Sequence, residues 1–413
     1  MEPMPPRRCA LCARLCSNNL ICAGGSPHSR GEPPASPRDS RAGCVEGAFL
    51  MQRELEEKLA RVRGFLEAQG CGAALFTTND NFGWISCGRS AYVDQGTGSA
   101  VAKVIVTMDK LYAACCSSEQ YRIMEEELTG GGFELVDYRW HEDEAQRIGE
   151  LLAGRRTVSD SGAFGTENRA ADLQRLRYRL TPEEAARYRE IGPEAAGIVE
   201  RCCREIRLGE SEREIASRAS AALTAAGYLL PVCLVAADER LTRYRHPIPK
   251  DVRVERCAML AVCAQKYGLT VSLSRIVSFG PPDSDRSRRY EALLRIDAGY
   301  IRDTVSGARA GDIVRRGRIA YEEAGYGEDF HLHHQGGALG YATRDYCAGE
   351  TCVETVQPCQ AFSWNPTIAG VKLEDTYLIE GDRREIITQT GSWPLREVIL
   401  DGVSIKRPLI LEL

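Results

Sequence analysis

The sequence predicts a small α/β domain followed by a larger α+β domain, and three observations carry that expectation. Between residues 71 and 180, β-rich apolar runs alternate with helical stretches. At Thr181 the character changes, and two helices open in succession on capping signatures. From Pro231 strands dominate, are interrupted by one helical region, and return near the C-terminus. The 413 residues are enough for two or three domains with real cores.

Residues 1–50 stand apart. GGSPHSRGEPPASPRDSRAG is rich in Pro, Gly, Ser and Arg without periodicity, the composition of a disordered extension or of a start codon placed upstream of Met51. Cys9, Cys12, Cys16 and Cys22 include a CxxC, but the spacing of a second zinc-ligand pair is wrong. From Met51, MQRELEEKLARVRGFLEAQG reads as an amphipathic helix. Leu55, Leu59, Val62 and Leu66 share one face, and Gly70 closes it. AALFTT, VAKVIVTM, LYAACC and FELVDYRW follow as strands, with SEQYRIMEEEL helical between them. No phosphate-binding glycine loop or nucleophile elbow occurs here. Expected domains are therefore 51–180 and 181–413.

In TPEE, Thr181 is the N-cap, Pro182 the first helical residue and Glu184 the partner in a capping box. That helix is expected to reach about Arg207, with a kink at Pro193. Ser211 and Glu214 open the second helix. CAMLAVCA and LTVSLSRIVSFG are strands. Helix is expected from about Asp283 to Glu323, broken near Gly307 and Gly311. QAFSWNPTIAG, VKLEDTYLIEG and REIITQT are strands again.

A formal charge of −5 gives no reason to expect nucleic acid or an anionic membrane as partner. No apolar run approaches a membrane span, and no apolar core of signal-peptide length follows the basic N-terminus, so a cytoplasmic protein is expected. The 17 cysteines, including the neighbours Cys115–Cys116 and Cys202–Cys203, read as reduced thiols rather than a disulfide scaffold.

HLHHQGGALG, residues 331–340, holds three of the six histidines, and clustered imidazoles suggest a metal. Its surroundings resemble a known family. LTPEE, RHPIPKD, YGLTVSLSRIVSFG, HHQGGALG and WNPTIAGVKLEDTYLI stand in the order found in the pita-bread hydrolases, such as aminopeptidase P, prolidase and creatinase. The resemblance covers nearly everything after Met51. It implies a pita-bread C-terminal domain, a creatinase-type N-terminal domain and a homodimer. Working members hold two divalent metals with two Asp, one His and two Glu, which generate hydroxide and polarise the scissile carbonyl.

Transferred residue by residue, the resemblance places those ligands at Ala261, Ser272, Gly337, Asn365 and Glu374, so only the last is kept. It implies no cofactor and no metal at these positions. It also marks His246 and His333 as cleft histidines, while a third cleft histidine becomes Arg344.

Three readings follow. The first is a metal-independent hydrolase of a small amide, amidine or dipeptide-like molecule. It would use His246, His333 and Glu374 for acid–base work, and Arg344, Arg275 and Lys372 to hold a substrate carboxylate. Asp375 or Asp345 would orient an imidazole. The second is an inactive homologue binding a peptide or partner in the old cleft. The third is an Xaa-Pro peptidase with non-standard ligands.

Simpler roles compete at each residue. His331 and His334 read as solvent-facing or hydrogen-bonded, and Glu374–Asp375 as salt-bridge partners of Arg275 or Lys372. Cys257, Cys263, Cys347, Cys352 and Cys359 read as core packing, ahead of a Cys–His nucleophile or a mononuclear His–Cys zinc site. The glycines of HHQGG leave room for backbone or ligand to approach.

Overall fold

AALFTT becomes β1 (Ala73–Thr78), buried on both faces and central in a six-stranded sheet of order β4-β3-β2-β1-β5-β6. Its companions are β2 (Ser99–Thr107), β3 (Leu111–Cys116), β4 (Glu134–Tyr138), β5 (Thr157–Ser159) and β6 (Glu167–Asn168). β1, β2 and β3 form an antiparallel meander, and the outer strands join it in parallel. The computed structural model describes residues 37–413, with side chains from Gln52 onward, so the expectations for the N-terminal cysteines lie outside the described residues. Gly47–Leu413 forms one compact unit.

Helix α1 (Pro37–Gln69) buries Leu55, Val62 and Leu66, and Gly70 ends it at φ +61°, where glycine carries no Cβ penalty. Three short helices complete the domain: α2 (Asn79–Ile85), α3 (Glu144–Leu152) and α4 (Ala170–Arg175). The stretch read as an ordinary helix in SEQYRIMEEEL is instead a π-helical turn over Arg122–Glu127.

The capping boxes form as expected. Thr181 and Glu184 start α5 (Pro182–Arg204), and Ser211 and Glu214 start α6 (Glu212–Ala225). α5 runs through Pro193 and stops one turn short of Arg207. Next come β7 (Leu229–Ala237), α7 (Glu239–Arg243), β8 (Cys257–Lys266), β9 (Leu269–Ser278), α8 (Ser284–Asp303), α9 (Ala310–Glu323) and α10 (Gly327–His331). The remaining strands are β10 (Gly336–Leu339), β11 (Tyr346–Cys347), β12 (Cys359–Trp364), β13 (Thr367–Ile368), β14 (Val371–Lys372), β15 (Tyr377–Glu380), β16 (Arg383–Ile386), β17 (Leu395–Leu400), β18 (Val403–Pro408) and β19 (Leu411–Glu412).

Two larger sheets result, β19-β9-β8-β7 and β11-β10-β12-β15-β16. α5 packs on β9 and α6 on β7, while α8 lies against α9 and β17–β18. Hydrogen bonds join the two sheets. Thr270 N–H donates to Gly340 O at 2.9 Å, Ser272 N–H to Thr376 Oγ1 at 2.7 Å, and Ser274 N–H to Glu374 O at 3.0 Å. This seam brings β9 and the segment after β14 to one place.

α1 docks on α5 through a buried ionic cluster. Lys58 Nζ lies 2.6 Å from Glu54 and 2.7 Å from Glu184, and Arg187 grips Glu54 bidentately at 2.7 Å. Burial pushes the Glu54 carboxyl up, but Arg187 and Lys58 outweigh it and bring the pKa down from 4.5 to about 2. A depressed carboxyl stabilises the fold above its unfolded pKa, and that stabilisation is lost as pH falls through the folded value. The stability difference between wild type and Glu54→Gln is therefore expected to shrink by on the order of 3 kcal/mol between about pH 4.5 and 2. Urea unfolding of both proteins across that range measures it, and a pH-independent difference would contradict the ionic docking.

Candidate functional site

Two segments meet at the mouth of the seam. His246 lies in the loop after α7, and His333 and His334 in the turn between α10 and β10. The Nε2 atoms of His246 and His333 are 3.1 Å apart, and the rings of His333 and His334 stack at 4.5 Å. One ligand nitrogen from each of the three imidazoles falls within 4.8 Å of the others. His333 is buried, with 8% exposure, while His246 and His334 are exposed. Cys347 Sγ stands 3.9 Å from His334 Nδ1. Burial, then the charge of Lys372, pushes His333 down to about 2. Burial and Arg344 push His334 down to about 4, and burial with Lys372 lowers His246. Near neutral pH the cluster is uncharged.

Glu374 follows β14 and is nearly buried. Its Oε1 accepts from Arg344 Nη2 at 2.7 Å and from Ser363 Oγ at 3.5 Å, and its Oε2 lies 3.5 Å from Lys372 Nζ. Arg344 Nη1 also donates to Ser272 Oγ at 3.2 Å. Burial opposes ionisation of Glu374, but Lys372 and Arg344 prevail and hold its carboxyl below the usual range. The carboxylate is thus ionised and held by two side-chain cations.

Two of the other marked positions, Ala261 and Gly337, are closed. Ala261 on β8 sits in the apolar core with Leu234, Met259 and Ile276. Asn365 has a buried Oδ1 without a protein partner. Gly337 is pressed between β11 and β12 at φ +156°. A Cβ there would collide with the Tyr346 carbonyl oxygen and lie 3.1 Å from Ala348 N. The room that glycine makes is filled by neighbouring backbone, with none left for a histidine ring. These five positions offer one carboxylate, already engaged, and do not fit a pair of dications. Gly337→His is expected to destabilise the protein by about 2–3 kcal/mol, through overpacking and backbone strain. A denaturant midpoint unchanged from wild type would contradict this packing.

Several expectations need correction. Arg275 does not reach a ligand. Its side chain is fully buried, bonded to Glu200 at 3.3 Å, Asp375 at 3.0 Å and the Thr388 carbonyl at 2.6 Å. Asp375 orients no imidazole, because it binds Arg275 and, at 3.0 Å, Arg407. Asp345 is taken by Arg177 at 2.9 Å. Arg344 and Lys372 both pair with Glu374. His246 and His333 come together, whereas Glu374 bonds the two cations rather than either ring.

His331 is exposed as expected. His334 is exposed too, but it belongs to the cluster, a role that its place beside His333 could have signalled. Cys257 and Cys263 are buried and Cys352 and Cys359 partly so, while Cys347 is exposed; all five are free thiols.

Comparison with known proteins agrees with this architecture. Residues 186–381 match the model of metallopeptidase family M24. An Xaa-Pro dipeptidase of Pyrococcus furiosus is 24% identical over 231 residues, which cover 53% of this chain and 65% of that protein. The chain spans between 34% and 65% of the length of such curated relatives. Among solved structures, the prolidase of Pyrococcus horikoshii matches 81% of this chain and 98% of its own, with a TM-score of 0.68 at 17% identity. The N-terminal domain of the FACT complex subunit SPT16 from chickpea matches 82% of this chain and 97% of its own, with a TM-score of 0.62 at 12% identity. The fold is the prolidase-like one, with an N-terminal α/β domain and a C-terminal pita-bread domain. No helix among the described residues is long and apolar enough to cross a membrane.

Proposed function

We propose that this prolidase-like M24 homologue does not use dinuclear metal hydrolysis and instead holds a small, carboxylate-bearing, peptide-like ligand in its remodelled cleft. The observation that carries this reading is the engagement of Glu374 by Arg344 and Lys372. Two cations share one carboxylate, which leaves a surplus positive charge beside three uncharged imidazoles. A ligand carboxylate complements that surplus, and a guanidinium fork suits it. The fold itself does not impose peptidase chemistry.

The test is to incubate the full chain with Xaa-Pro dipeptides, with and without added manganese, cobalt or zinc. Expected is a rise in melting temperature with no product, the rise being weakened in Arg344→Ala. Metal-dependent, chelator-sensitive cleavage before proline would overturn the proposal. A second reading draws on the 3.1 Å contact between His246 and His333, which allows proton exchange with an exposed ring. It is the metal-independent hydrolase, and it requires a chelator-resistant turnover that His246→Ala abolishes.

A further inference from the structure

We propose that His246, His333 and His334 form a mononuclear site for a borderline divalent transition ion such as zinc, displaced from the five positions marked by the family resemblance. The spacing supports it. One nitrogen from each ring lies within 4.8 Å of the others. One edge, 3.1 Å between the Nε2 atoms of His246 and His333, is near the ~3.3 Å edge of a tetrahedral site with Zn–N bonds of about 2.0–2.1 Å. Modest rotation of the two exposed rings would close the remaining edges.

Both segments are held in place before any ion arrives. Arg245, next to His246, pairs with Asp329 of α10 at 2.9 Å, and Asp329 also accepts from Ala369 N at 2.8 Å. Gln335 Nε2 donates to the His333 carbonyl at 2.8 Å, fixing the turn that presents His333 and His334. His333 is the buried anchor, and its Nδ1 has no protein partner. A buried imidazole with its Nδ1 short of a hydrogen bond and its Nε2 against a second imidazole lacks the usual satisfaction of buried polar groups. An ion on the shared edge gives that arrangement a purpose.

The electrostatics are mixed. Lys372 and Arg344 oppose a dication, and Glu374 offsets them. The exposure of His246 and His334 leaves a fourth position open to water or to an anionic ligand. Borderline ions favour imidazole, whereas manganese, magnesium and calcium favour carboxylate oxygens. Cys347 lies beside His334 and is not assigned as a ligand.

The test uses the full chain carrying Cys9→Ser and Cys12→Ser, so that N-terminal thiols do not compete. The apo protein is titrated with cobalt(II), and the visible ligand-field bands of a tetrahedral site are followed. One equivalent per chain is expected, displaced by zinc. His334→Ala and His246→Ala should each weaken binding at least tenfold, Cys347→Ser should keep it, and Glu374→Gln, which removes the charge that offsets Lys372 and Arg344, should weaken it less than either histidine change. No binding would overturn the site. So would binding abolished by Glu374→Gln or Cys347→Ser but indifferent to His334→Ala. Peptide cleavage by the loaded protein would refute the proposed function while leaving this site standing.

Discussion

Replacing Arg275 with alanine is expected to destabilise the protein by about 5 kcal/mol, the upper end for breaking a buried ion pair from one side. The guanidinium lies between Glu200 on α5 and Asp375 after β14, and also donates to the Ser274 and Thr388 carbonyls. Its removal takes the guanidinium from two buried carboxylates, of which Asp375 keeps Arg407 and Glu200 keeps only hydroxyl donors, and from two carbonyls in the seam that joins β9 to the second sheet. Arg275→Lys should recover little, since an ammonium cannot reproduce the fork. Denaturant unfolding at neutral pH measures the change, and a loss under about 1 kcal/mol would contradict the assignment of Arg275 to structure.

Removing Glu374 is the more discriminating change. In a metal-free cluster of carboxylates, deleting one relieves repulsion between like charges. Here the neighbours are cations, so Glu374→Ala is expected to destabilise by about 4 kcal/mol, leaving Lys372 and Arg344 buried without their anion. Adding Lys372→Met to Glu374→Ala should recover part of the loss, because one stranded charge is then gone. Urea unfolding in the presence of chelator gives the sign directly. Stabilisation by Glu374→Ala would mean that the carboxylate sits among other anions.

What the sequence made legible was local. The capping boxes at Thr181–Glu184 and Ser211–Glu214 are written within four residues, and they mark the helix starts correctly. The Leu55–Leu66 face and the β-rich runs are likewise short-range patterns, and the structure keeps them. The site depended on long-range partners. Arg275 reads as a candidate ligand-binding arginine until the fold brings Asp375, 100 residues away, against it. His246 and His333 are 87 residues apart and still meet. The resemblance placed both in one cleft, and only its place beside His333 pointed to His334. Gly337 shows the limit most clearly: the sequence says only that a Cβ is missing, and the packed Tyr346 carbonyl explains why.

The most direct test of the proposed absence of a dinuclear site is the manganese content of the full chain after incubation with excess manganese(II), with electron paramagnetic resonance to detect a coupled pair. Manganese selects carboxylate oxygens over imidazoles, so it reports on the five positions marked by the resemblance rather than on the histidine cluster. The expected result is no tightly held manganese, in wild type and Glu374→Gln alike. Two manganese ions per chain with a coupled signal, both lost in Glu374→Gln, would contradict the reading of Glu374 as the partner of Arg344 and Lys372.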